Sequence, residues 1–275
     1  MWLTRPRPDG AEVLAGLTGD AARGQIVFDA GGCAACHATP KAEAEARLVL
    51  AGGKRFPSPF GTFVAPNISQ DQQAGIGAWQ AIDLWNALHN GTSPDGRHYF
   101  PAFPYTTYVN ATPQDVVDLF AYLQTLPADP TPSRPHEVGF PFNIRAGLGL
   151  WKAAFLRQGW VVEVPPEAAR GRYLAEALGH CGECHTPRNI LGGLQKSRWL
   201  AGAPIPGSKG SFPNITPAKL DWSEADLVEY FTSGFTPEFD SAGGQMVEVI
   251  GNLSRLPRED RAAIAAYLKA VPPVE

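Results

Sequence analysis

With 275 residues, 44% of them hydrophobic, the chain is long enough to bury two ordinary cores and too apolar to be disordered. Its 23 Lys+Arg and 27 Asp+Glu leave a net charge of −4 with no basic run, which excludes a nucleic-acid partner. No window approaches the roughly 18 apolar residues of a membrane-spanning helix, while 29 Gly and 26 Pro make the chain rich in turns.

In chain order, Met1-Trp2-Leu3-Thr4-Arg5-Pro6-Arg7-Pro8 lacks the apolar core of a signal peptide. A helix is expected over Arg23–Ala30, then the unit Cys33-Ala34-Ala35-Cys36-His37, then a long Gly/Pro loop to about Gly77. Helices follow at Ala78–Asn90 and Gln114–Leu126. In the latter, Val116, Val117, Leu119, Phe120 and Leu123 form an apolar stripe at three- and four-residue spacing. The proline-rich Asp129–Pro141 reads as a linker and Phe142–Trp160 as a helix packed between modules. Cys181-Gly182-Glu183-Cys184-His185 then repeats the first unit. Ser223-Glu224-Ala225-Asp226 is a capping box opening a helix, and Ile264, Tyr267 and Leu268 mark the stripe of the last one.

The duplication reaches beyond these units. Ala22-Arg23-Gly24 recurs as Ala169-Arg170-Gly171, Pro66-Asn67-Ile68-Ser69 as Pro213-Asn214-Ile215-Thr216, and Ala121-Tyr122-Leu123 as Ala266-Tyr267-Leu268, at offsets of 147, 147 and 145. A nearly constant offset means two copies of one module. The expected division is residues 1–128, a linker and helix over 129–160, and a second module over 161–275. Gly24 and Gly171 are expected where a first and a last helix cross closely, with Tyr122 and Tyr267 packed at the crossing.

All four cysteines lie in the two Cys-x-x-Cys-His units. Two thiols three positions apart can each form a thioether to one vinyl group of a porphyrin, and the following histidine can then bind the iron axially. Zinc is the rival, but paired Cys-x-x-Cys zinc sites fall within one small module, and these copies stand 148 positions apart. Cys33, Cys36, Cys181 and Cys184 are therefore expected to hold two covalently bound haem c groups, with His37 and His185 on the irons. Covalent attachment of this kind follows export. The chain is accordingly expected in the periplasm, with a targeting segment removed or ending at Trp2-Leu3, and with membrane association through an N-terminal anchor absent from the numbered chain.

The run of Cys-x-x-Cys-His, Ala65-Pro66-Asn67-Ile68-Ser69, Gly75-Ile76-Gly77-Ala78-Trp79 and His98-Tyr99-Phe100-Pro101-Ala102-Phe103-Pro104-Tyr105 resembles the multihaem cytochrome c subunits of bacterial membrane-bound alcohol and sugar-acid dehydrogenases. The resemblance covers nearly the whole chain. It implies an all-α protein of two tandem class I cytochrome c modules with long Gly/Pro-rich loops, where those subunits commonly have three. It also implies an electron carrier rather than an enzyme, working between a dehydrogenase donor and a cytochrome or oxidase acceptor of the respiratory chain.

The chain has two methionines, Met1 and Met246. Met246 lies 61 residues after His185, just before the last helix, where the resemblance places a sixth ligand, so it is assigned to the second iron. The first module has Phe103 and Ala111 at the two places where the resemblance implies a methionine. Three outcomes stand there: an open or weakly occupied site, His98, or His89. An open site would permit the rival reading, a haem enzyme or small-ligand binder. His136 and His180 read as structural or surface residues. Arg55, Asn67, Trp79, Asn214 and Trp222 are expected beside haem propionates.

Overall fold

The computed structural model describes residues 4–275, so the readings on Met1 and Trp2-Leu3 lie outside the described residues. The chain forms two compact units. One holds the residues up to Phe28 together with Cys33–Arg157, and the other holds Asp29–Gly32 with Gln158–Glu275.

In the first unit, helix α1 (Ala21–Ala30) is started by Asp20, whose Oδ1 accepts from the N–H groups of Ala22 and Arg23 at 2.9 and 3.0 Å. A single helical turn, α2 (Cys33–His37), carries the first Cys-x-x-Cys-His. Helices α3 (Ala81–Asn90), α4 (Tyr105–Tyr108) and α5 (Pro113–Leu123) follow. Thr112 caps α5 by accepting from the Asp115 N–H at 3.1 Å, with Pro113 at the first helical position. Val116, Val117, Leu119 and Leu123 are buried as the stripe requires, whereas Phe120 is only half-buried.

The second unit repeats this plan with α7 (Ala169–Tyr173), α8 (Cys181–His185), α9 (Glu224–Ser233), α10 (Met246–Leu253) and α11 (Arg258–Ala270). The Ser223 capping box forms: the Asp226 N–H donates to Ser223 Oγ at 3.1 Å, and the Ser223 N–H returns to Asp226 Oδ2 at 3.0 Å.

The expectation of an all-α chain needs correction, because each unit also carries a small sheet. Strands β1 (Arg55–Ser58) and β2 (Gly61–Val64) form a hairpin around Pro59-Phe60, and β2 also pairs with β3 (Glu137–Val138). In the second unit β4 (Ala203–Pro204) pairs with β5 (Ser211–Phe212). Short strands interrupted by Pro and Gly carry no two-residue alternation long enough to read. The segment read as a linker is thus partly ordered on the first unit. Beyond it, helix α6 (Gly147–Phe155) sends Lys152 Nζ to the carbonyls of Asn90 and Gly91 at 2.7 and 2.6 Å, where the Thr92 hydroxyl and the Tyr99 N–H donate to the same two acceptors at the end of α3.

Both units are built on one helix crossing. A Cβ placed on Gly24 would stand 1.9 Å from the Asp118 carbonyl oxygen and 2.8 Å from Tyr122 Cβ; on Gly171 it would stand 1.8 Å from the Ala263 oxygen and 2.7 Å from Tyr267 Cβ. Only hydrogen fits there, as the sequence suggested. An arginine fork one residue earlier clamps each crossing. Arg23 Nε and Nη2 reach Asp118 at 2.7 and 3.0 Å, and Arg170 Nε and Nη2 reach Asp260 at 2.8 and 2.9 Å.

The second copy carries one extra residue between its glycine and its first cysteine, ten positions against nine. That residue is absorbed as a π-helical turn over Leu174–Leu178. Glu176 turns inward there, 2% exposed, and accepts from Tyr267 Oη at 2.6 Å and the Val161 N–H at 2.5 Å, while Trp199 Nε1 donates to Tyr267 Oη at 2.8 Å. Burial raises the Glu176 carboxyl above its ordinary pKa.

The crossing makes a direct test. Gly24→Ala or Gly171→Ala drives a methyl into backbone and is expected to cost about 1–3 kcal/mol or more. Gly147→Ala, with nothing within 4 Å of its added methyl, should leave the urea midpoint nearly unchanged. A second test uses pH. Burial would raise the Asp118 carboxyl, but the Arg23 fork and the Asp20 N–H outweigh it and hold its pKa below the ordinary value. A depressed folded pKa gives stability that is present above the unfolded value of about 3.9 and lost as pH falls through the folded one. Asp118→Asn should therefore lower stability at pH 7 by about 1–3 kcal/mol, with the gap to the parent protein closing below about pH 4 in urea titrations.

Candidate functional site

In α2 and α8 the two cysteines stand at i and i+3 and the histidine at i+4, so a helical turn gathers both thiols and the imidazole on one side. Each turn is entered through a left-handed residue: Gly32 at φ 61° and His180 at φ 43°. A histidine tolerates that conformation better than most side chains, and this position gives His180 a structural role. The four cysteines are thiols, not disulfides.

Beyond the turn the two copies match bond for bond. The His37 carbonyl accepts from the Gly52 N–H and the His185 carbonyl from the Gly202 N–H, both at 2.7 Å. His37 Nδ1 lies 2.9 Å from the Pro66 carbonyl, and His185 Nδ1 lies 2.8 Å from the Pro213 carbonyl. A carbonyl only accepts, so Nδ1 carries the proton and Nε2 keeps its lone pair. Burial lowers both imidazole pKa values and outweighs the proline carbonyl, keeping the rings neutral as a metal ligand must be. The strands position these carbonyls, since β2 leads into Ala65-Pro66 and β5 leads straight into Pro213. The sequence reading noted the repeated Pro-Asn-Ile segment and missed this task; the repeat was its signal.

The residues expected beside propionates stand differently. Arg55 forms a fork with Glu137, both contacts at 2.6 Å. Asn67 Nδ2 donates to the Asp129 and Thr131 carbonyls at 2.8 Å each, and Asn214 Nδ2 donates to the Val274 carbonyl at 2.7 Å. Their Oδ1 atoms accept from the N–H groups of Ser69 and Thr216 at 2.8 and 2.9 Å. Both asparagines therefore pin the proline-carbonyl segment to the chain that follows the last helix. Trp79 is half-buried, and Trp222 packs edge-on to Tyr230 at 5.1 Å. A contact that the sequence did not suggest is Lys54 Nζ donating to the Ala35 carbonyl inside the first turn at 2.8 Å.

Met246 opens α10 and is half-buried. Phe103 stands in ring contact with Tyr99, Tyr105 and Tyr108, and Ala111 is buried. His98 is 5% exposed, with Nε2 2.8 Å from the Thr4 carbonyl; its own carbonyl accepts from Arg145 Nη1 at 2.6 Å. His89 stacks on Trp85 at 4.2 Å. His136 Nδ1 accepts from the Val64 N–H at 3.1 Å, between Phe63 and Phe100.

Paired thiols with a neutral, Nδ1-protonated imidazole on the same helical turn fit a covalently held haem, and two such turns define a c-type haem protein with two centres. Known proteins agree. Residues 21–127 match the cytochrome c family. Over its whole length the chain is 60% identical to a dihaem c-type cytochrome of Cereibacter sphaeroides, covering 94% of that protein. It is 39% identical to the fructose dehydrogenase cytochrome subunit of Gluconobacter japonicus and 31% identical to the cytochrome c subunit of a quinone alcohol dehydrogenase of Gluconobacter oxydans. Those matches take 91% and 92% of this chain, which spans about half the length of each dehydrogenase subunit (52% and 55%).

The chain belongs to the cytochrome c family and is a dihaem member of it, homologous to electron-transfer subunits of dehydrogenases. It carries two covalently bound haem c groups, at Cys33/Cys36 and Cys181/Cys184. Acid-acetone extraction should leave the colour with the protein, at two haems per chain by pyridine haemochrome assay. The variant Cys181→Ala/Cys184→Ala should keep one. Colour lost to the organic phase from the parent protein would contradict covalent attachment.

Proposed function

We propose that the protein carries electrons, one per haem, from a periplasmic or membrane-bound dehydrogenase to a cytochrome or oxidase of the respiratory chain. The observation that carries this reading is the pair of matched turns, each presenting a neutral imidazole whose tautomer a proline carbonyl fixes. When bound, the haems supply the one-electron chemistry. The chain holds them by Cys33/Cys36 with His37 and by Cys181/Cys184 with His185, and Met246 is the sixth ligand of the second iron.

Rigid ligation serves this task, because an electron carrier should change shape little between its two charge states. The carbonyl-held imidazoles and the bonds behind each turn resist such change. The thioether of Met246 favours the ferrous state and raises the potential of the second centre. Homology to dehydrogenase cytochrome subunits supports a dehydrogenase donor, and attachment chemistry that follows export supports the periplasm. Among the described residues no helix is long and apolar enough to cross a membrane.

In a redox titration of the holoprotein, Met246→His should lower the potential of one haem and leave the other in place, since imidazole replaces a thioether on one iron only. If neither wave moves, Met246 is not a ligand. Reduction of the purified protein by a quinone-dependent dehydrogenase preparation with its substrate tests the donor.

A further inference from the structure

The two copies run in strict register through the stretch that holds Met246. Helices α3 and α9 are both ten residues long, at an offset of 143, and end on Gly91 and Gly234, both left-handed. After each helix the chain makes the same small loop. Thr92 bridges His98 as Phe235 bridges Ser241, and the Tyr99 N–H donates to the Gly91 carbonyl as the Ala242 N–H donates to the Gly234 carbonyl, both at 2.8 Å. Every one of these pairs keeps the offset of 143. Carried five residues past the bridge, the same offset sets Phe103 at the register of Met246 and His98 at the register of Ser241. A hydrocarbon ring thus holds the place of the thioether in the first copy.

Among the described residues, the other strong donors of that unit stand away from that register. His98 donates Nε2–H to the Thr4 carbonyl, since a carbonyl cannot donate, which leaves its buried Nδ1 with a lone pair and no hydrogen-bond partner, but the ring is held at the register of a serine, five residues before that of Met246. His89 lies flat on Trp85, with Asp9 3.9 Å from its Nδ1. His136 is locked between two phenylalanines. Of the amines, Lys54 is spent on the Ala35 carbonyl, Lys152 on the end of α3, and Lys41 is exposed. Ala111, 6% exposed, carries no donor at all.

We propose that the first haem iron receives no protein ligand opposite His37 and binds a small external ligand there, of the carbon monoxide and nitric oxide class when ferrous and of the cyanide class when ferric. The inference rests on the reading that both irons are held by His37 and His185 and the second also by Met246. An open position on iron separates ligand binding from plain electron transfer. The same chain then holds one centre closed by sulfur and one open to solutes.

Carbon monoxide titration of the dithionite-reduced holoprotein, followed in the visible bands, tests this without any variant. One carbon monoxide per chain is expected. Met246→Ala should raise the count to two, which assigns the parent site to the first haem, and Phe103→Met should weaken carbon monoxide binding at least tenfold. No uptake by the parent protein, with both haems six-coordinate and low-spin by resonance Raman, would overturn the proposal; uptake appearing in His98→Ala or His89→Ala would then identify the ligand. Two carbon monoxide molecules per parent chain would instead remove Met246 from the second iron and leave the first site open as proposed.

Discussion

In each unit one hydrogen bond, from an imidazole Nδ1 to a proline carbonyl, decides which nitrogen of the histidine keeps a lone pair. Much of the surrounding architecture serves to place that carbonyl. A strand leads into the proline, the asparagine after it clamps the segment to backbone beyond the last helix, and the next N–H donates back to leucine 50 or 200. The last helix is in turn fixed against the first by a crossing so close that only glycine fits. Loss of one clamp therefore loosens the carbonyl that sets the tautomer of the histidine.

What the sequence made legible was chemistry carried by short-range spacing. Cys-x-x-Cys-His is a helical-turn pattern, the Ser223 box is a three-residue reciprocal bond, and the stripe of α5 is a periodicity; each is local, so each can be read. The crossing glycines were readable because the repeat displayed them twice. The hairpin over Arg55–Val64 was hidden because it is completed by Glu137–Val138, more than seventy residues on. Asn67 and Asn214 were placed beside propionates because a polar side chain near a haem motif suggests a haem contact; in fact they bind carbonyls some sixty residues distant. Asp118, inside an apolar stripe, is fully buried, and the arginine fork, the Asp20 N–H and the Gln114 amide make that tolerable.

The two copies diverge in particular places, and each divergence has a local cause. The clamp on the helix crossing uses Asp118 in one copy, while Asp260 in the other sits one turn earlier relative to the tyrosine; both keep an arginine fork on the residue before the glycine. The extra residue before Cys181 is taken up by a π-turn, which trades a regular helix end for a buried carboxyl held by Tyr267 and the Val161 N–H. Burial raises the pKa of that carboxyl and outweighs Tyr267, the backbone N–H groups and the charge of Arg172, whereas the Arg23 fork outweighs burial at Asp118.

The register shared by α3 and α9 constrains where function can differ between the copies. Helix length, the left-handed glycine and the bridge after it are all preserved, so the backbone runs in one register as far as Tyr99 and Ala242, a few residues before Phe103 and Met246. Side-chain identity is then the variable. Exchanging a thioether for a phenyl ring alters the donor set without disturbing the turn that holds the histidine, because that turn is secured separately, through the proline carbonyl and the glycine N–H behind it. On the proposed ligand set, two centres of unequal chemistry arise from a duplicated fold by substitution at one position.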